Sequence, residues 1–138
     1  MNELPSHPGT YALVFAVEKP ARVQVGALGE VQIPEGWFVY VGSAFGPGGL
    51  RGRLGHHTRP VVKAHWHIDY LREFISLQEV WYSESSTHLE HTWAAELEKL
   101  SETAIPLKGF GASDCNCTAH LFHFTVKPKD IVLKICLL

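Results

Sequence analysis

Two tyrosines, an arginine and a carboxylate, set far apart along the chain, are of types that could bind or neutralise charge together if the fold gathers them. Tyr11 stands at the start of one apolar run and Tyr40 near the end of another. If those runs are antiparallel strands, the start of one lies beside the end of the other. Both phenols then reach the same rim of a sheet. Tyrosines in strands usually pack, so sheet geometry alone favours a structural role for this pair. Arg53 and His57 are four residues apart on a short predicted helix, next to the buried-side pair Leu50 and Leu54. The turn into that helix delivers them near Tyr40, where a guanidinium could neutralise charge growing on a phosphate oxygen. A solvated surface arginine is the commoner fate.

The carboxylate is less sharply defined. On a later predicted helix, Leu89, Trp93, Leu97 and Leu100 form one apolar stripe at about 100° per residue. Glu98 and Glu102 point away from the stripe, whereas Glu90 and Glu96 border it on opposite sides. A single carboxylate helped by waters and substrate oxygens is a common way to hold Mg²⁺. Periodicity allows either residue to serve, or neither.

The chain carries a net charge of −2, which speaks mildly against a general nucleic-acid coat. Its positive charge gathers in one stretch instead: Arg51, Arg53, Arg59 and Lys63, interleaved with His56, His57, His65 and His67. Over the second predicted helix, His65 and Asp69 share one side and Trp66 and Tyr70 another. An aromatic face packed on the sheet is the favoured reading. The functional alternative has the histidines touching substrate phosphates and Trp66 stacking on a base. Cys115, Cys117 and His120 could hold zinc, but structural zinc sites space their cysteines more widely and come in two halves. A loop packed on the sheet edge is preferred there. Three cysteines in all are poor material for a disulfide framework.

The elements that must position these groups follow from apolar patterning. With 138 residues and 46% hydrophobic content, the chain suits one domain, 1–138, without linker or repeat. Thr10–Val17 is apolar on both faces and predicts a central strand. Glu18, Lys19 and Pro20 turn the chain, and Ala21–Val25 is expected to be the partner of a hairpin. After the turn at Pro34, Glu35 and Gly36, residues 37–42 predict a second buried strand. Gly46 to Gly49 lead into the first helix, where Gly52 and Gly55 cost roughly 1 kcal/mol each relative to alanine. A helix over 64–74, a strand over 79–82, a helix over 87–102, a loop over 113–118 and a strand over 119–126 complete the expectation. The order predicts an α/β or α+β fold: a small, mostly antiparallel mixed sheet flanked by helices. Apolar runs are strand-sized, and the polar start lacks a secretory pattern, so a cytoplasmic location is expected. The apolar segment 132–138 could finish the core or meet a second copy or another protein.

Gly9-Thr10-Tyr11, then Tyr40-Val41-Gly42 about thirty positions on, then the run from Leu50 to His57, resembles the GIY-YIG nuclease superfamily. That superfamily includes homing endonucleases and the excision-repair subunit that makes the first incision. The closer resemblance is to an uncharacterised branch, found alone or fused to endonuclease III-like proteins. It is carried by residues 65–71, by 109–117 and by His120-Leu121-Phe122, so it spans nearly the whole chain. The resemblance implies a metal-dependent endonuclease acting on DNA, with repair as a setting. Tyr11 and Tyr40 would be the motif tyrosines, Arg53 the catalytic arginine, and His57 the histidine one turn later. Glu90 would bind one Mg²⁺ or Mn²⁺, with Glu96 as second choice. Arg51, Arg59, Lys63, His65 and His67 would meet the substrate. Thr10 stands where isoleucine is usual, and only Asn116 lies near the place of a late asparagine. A non-catalytic nucleic-acid-binding module and a protein-interaction domain are the competing expectations.

Overall fold

The structure, a computed structural model, describes residues 5–59, 63–64, 66–99, 119–125 and 127. Strand β1 (Thr10–Val17) lies at the centre of a four-stranded sheet, paired with β4 (Gly36–Ser43) on one side and β5 (Ser76–Ser83) on the other. Strand β6 (Leu121–Phe124) closes the order β5-β1-β4-β6. Between β1 and β4 run β2 (Ala21–Val25) and β3 (Gly29–Ile33), which pair only with each other. Helix α1 (Gly49–Thr58) follows β4, and α2 (Glu90–Glu98) follows β5. Among the described strands every pairing is antiparallel. The outcome is the small α+β layer that the sequence predicts.

Burial on both faces explains why β1 reads as an unbroken apolar run. Its residues Tyr11, Leu13 and Phe15 face a cluster with Phe38, Tyr40, Leu50, Leu54, Ile68 and the β2–β3 valines. Ala12 and Val14 face the opposite cluster, with Val39, Val41, Trp93, Leu97, Phe122 and Phe124. The sheet is therefore sandwiched, with α1 and the β2–β3 hairpin on one side and α2 on the other.

Three local expectations need correction. Ala21–Val25 is in a hairpin, but its partner is β3, because β4 and β5 already occupy both edges of β1. The segment 64–74 is not an α-helix: among its described residues there is one 3-10 turn, His67–Tyr70, followed by turns. There the Asp69 carboxylate accepts the backbone N–H of Trp66 at 3.0 Å, and such side-chain-to-backbone bonds compete with helical pairing. The later helix is shorter than 87–102, beginning at Glu90 and ending at Glu98.

Candidate functional site

In the β1–β4 register, Tyr11 faces Gly42 and Leu13 faces Tyr40, so the two phenols lie diagonally on one face. Gly42 is needed at that place. A Cβ there would collide with the Tyr11 hydroxyl, so only glycine lets the phenol lie across β4. Helix α1 begins where Gly49, at φ +59°, passes under the backbone carbonyls of Ser6 and His7. Leu50 and Leu54 bury its inner side, which aims His57 between the tyrosines. The Tyr11 hydroxyl and His57 Nε2 are 2.8 Å apart, and the His57 ring centroid is 6.2 Å from that of Tyr40.

Arg53, one turn earlier, donates from Nη1 to the Ser43 carbonyl at 2.8 Å. Its guanidinium lies 4.2 Å above the Trp66 ring. Two anchors of different kinds thus hold a long, flexible side chain in one place. Trp66 in turn is fixed through its backbone N–H by Asp69, whose carboxylate also meets His56 Nε2 at 3.0 and 3.1 Å.

The carboxylate arrives from the other face of the sheet. Leu89, just before α2, donates its backbone N–H to Thr10 Oγ1 at 3.2 Å, which ties the helix start to the residue preceding Tyr11. Glu90 is the first residue of α2, where a negative charge suits the exposed N–H groups of the first turn. Its Oε2 lies 3.1 Å from Nδ1 of buried His120, whose own carbonyl accepts the Val41 N–H at 2.9 Å. Glu96 sits 3.5 Å from Lys99 instead.

Electrostatics link the four groups. Burial pushes the Tyr11 phenol well above its ordinary value; Arg53 pulls it down, while Glu90 and Asp69 push it further up. Tyr40 is likewise raised by burial, then by Tyr11 and Glu90. Burial lowers His57 to about 3, against the pull of Asp69. The two phenols and the imidazole are therefore neutral at ordinary pH. Access is unequal: Tyr11 is 1% and Tyr40 4% exposed, whereas the Glu90 side chain keeps 19% and Arg53 is half-buried.

The structure thus brings Tyr11, Tyr40, Arg53, His57 and Glu90 to one end of the sheet. Arg51, Arg59 and Lys63 are exposed, and Arg59 folds back to the Gly55 carbonyl at 2.9 Å. His67 is half-buried on the 3-10 turn, where burial lowers its pKa. His65, Cys115 and Cys117 lie outside the described residues, as does Asn116. The bond between His65 and Asp69 that helical spacing would allow involves a residue outside those described; among the described residues Asp69 meets His56. His120, considered in the sequence beside the two cysteines, stands against Glu90. The four-residue spacing from His65 is what singles out Asp69 in the sequence.

Fold and site together define a small antiparallel α+β domain with a sealed phenol–imidazole corner and a guanidinium and a carboxylate at its mouth. The chain belongs to the family described as "Domain of unknown function DUF123", whose model matches residues 10–136. No curated protein and no solved structure matches it.

Proposed function

We propose that this domain is a metal-dependent endonuclease of the GIY-YIG type that hydrolyses phosphodiester bonds in DNA. The observation that carries this reading is geometric: Tyr11 and Tyr40 share one face of β1–β4, Arg53 is anchored at the end of β4, and the start of α2, with Glu90, is tied to Thr10. The motif resemblance supports it independently. Glu90, a partly exposed carboxylate at a helix start, suits Mg²⁺ or Mn²⁺, which takes one or two carboxylates and otherwise water and phosphate oxygens. Bound there, such an ion would supply Lewis-acid stabilisation of the phosphate and the leaving oxygen.

The chain's own groups divide the remaining work. Arg53, already anchored to Ser43 and Trp66, needs little reorganisation to meet a phosphate oxygen, which is the condition for strong transition-state stabilisation. The Tyr11 hydroxyl is buried against His57, so its work on the attacking water would require the corner to open on substrate binding. His57 does not take the phenol's proton at rest. With the phenol above its ordinary value of about 10 and the imidazole at about 3, their proton affinities differ by at least about seven decades. The imidazole holds the phenol in place instead.

The near-complete burial of both phenols favours a second reading, a nucleic-acid-binding module that keeps the fold without cutting. A cleavage screen decides between them: single-stranded, duplex, branched and flapped DNA, and RNA, with Mg²⁺ or Mn²⁺. Cutting by the native protein, with loss in Glu90→Gln, is the expected result. Salt-sensitive binding with every substrate left intact would establish the binding module.

A further inference from the structure

His56, His57 and Asp69 gather behind Arg53, and His57 is shared with the proposed phosphodiester site through its contact with Tyr11. Each offers one ligand atom, and the three atoms lie within 4.8 Å of one another. His56 and His57 are adjacent on α1, while Asp69 comes from the 3-10 turn, so tertiary packing builds the group. The Asp69 side chain is fully buried, and a buried carboxylate needs a cation or several donors around it. His57 is 1% exposed; Tyr11 occupies its Nε2, and its Nδ1 has no hydrogen-bond partner among the described residues. An unpaired buried nitrogen is uncommon in folded proteins and calls for an ion, a water or a chemical role.

We propose that His56, His57 and Asp69 form a site for one transition-metal cation, Zn²⁺ being the best match. The ligands are His56 Nε2, the Asp69 carboxylate and the His57 nitrogen that Tyr11 leaves over. Two imidazoles with one carboxylate suit Zn²⁺, whereas Mg²⁺ prefers oxygen and water. Tetrahedral ligands at about 2.0–2.1 Å from zinc stand roughly 3.3 Å apart. His56 Nε2 is already 3.0 and 3.1 Å from the Asp69 oxygens, so only the third ligand must close in. On binding, His56 gives up its Nε2 proton, to its own Nδ1 if neutral or to solvent if charged. A cavity of about 660 Å³ lined by Asp69, Arg72, Arg22 and Glu73 lies beside the turn that carries Asp69, whose carboxylate is itself closed to solvent. Arg53 and Arg72 carry positive charge close to His57, so the site is weaker than a four-ligand structural zinc site. A metal on His57 Nδ1 places the ring proton on Nε2, which then donates to the Tyr11 oxygen. The cation would thereby favour the phenolate form of Tyr11.

The test uses full-length protein stripped with a chelator and titrated with Co²⁺ and then Zn²⁺, followed by calorimetry and visible absorption. One equivalent should bind at or below about 10 µM, giving ligand-field bands without thiolate charge transfer. His56→Ala should weaken binding at least about 10-fold, whereas the double variant Cys115→Ser, Cys117→Ser and the variant Glu90→Gln should bind as the native protein does. Zinc should also shift the ring NMR signals of His56 and His57 and leave those of His91 and His120 in place, a readout that needs no variant. No binding, thiolate bands, unchanged affinity in a folded His56→Ala protein, or shifts at His91 and His120 instead would each overturn the proposal. Its failure leaves the nuclease reading standing, because that reading rests on Arg53 and Glu90.

Discussion

The phenol–imidazole corner and the Glu90–His120 corner sit at one end of the same sheet, on opposite faces, and handle polar groups in opposite ways. The first buries Tyr11, Tyr40 and His57 almost completely and keeps them neutral. The second leaves a carboxylate partly open at a helix start. Burial penalises charge, so groups in the sealed corner can orient and hydrogen-bond but cannot carry charge cheaply. On the proposed reading, ionic work falls to Arg53 and Glu90 at the mouth. The comparison therefore predicts that substitutions at the mouth change activity, whereas those in the corner change stability first.

The largest effect is expected at Arg53. Arg53→Ala should lower the cleavage rate by about 100- to 1000-fold while DNA affinity falls much less. Single-turnover kinetics set beside binding isotherms would check this, and equal losses in both would erase the distinction between mouth and corner. A smaller effect, on stability, is expected for Gly42→Ala. The added methyl must displace the Tyr11 phenol, at a cost of about 1–3 kcal/mol in denaturant unfolding. An unchanged midpoint would mean that the corner is looser than its packing indicates.

A further effect concerns pH. His57 is lowered to about 3 when folded, from an ordinary value near 6.5. Between those limits the unfolded chain binds the proton that the folded protein refuses, so stability rises with pH across that window. It is fully present above about 6.5 and declines as pH falls toward 3, at no more than about 1.4 kcal/mol per pH unit. His57→Gln should flatten that part of the profile, as urea unfolding between pH 4 and 7 would reveal. A slope identical in both proteins would assign the acid sensitivity to other groups.

Tyr11, Tyr40, Arg53 and His57 were legible from sequence because each rests on a local rule. Strand parity puts both phenols on one face, and four-residue spacing puts Arg53 and His57 on one side of a helix. Periodicity could not tell Glu90 from Glu96; the bond from Leu89 to Thr10 brings the start of α2, and so Glu90, to the Tyr11 end of the sheet, whereas Glu96 sits beside Lys99. Strand β3 escaped notice because GEVQI is short and alternates polar with apolar residues around a Gly start.

The sequence by itself determined the two central strands, the first helix and the residue types able to meet a phosphate. Hydrophobic periodicity and glycine placement act over only a few neighbouring residues, and those features need nothing more. Tertiary structure alone decided that β2 pairs with β3, that Asp69 meets His56, and that His120 meets Glu90. The last two join residues 13 and 30 positions apart in the chain. Such pairings depend on which surfaces remain uncovered once the sheet has formed, and no local pattern encodes that.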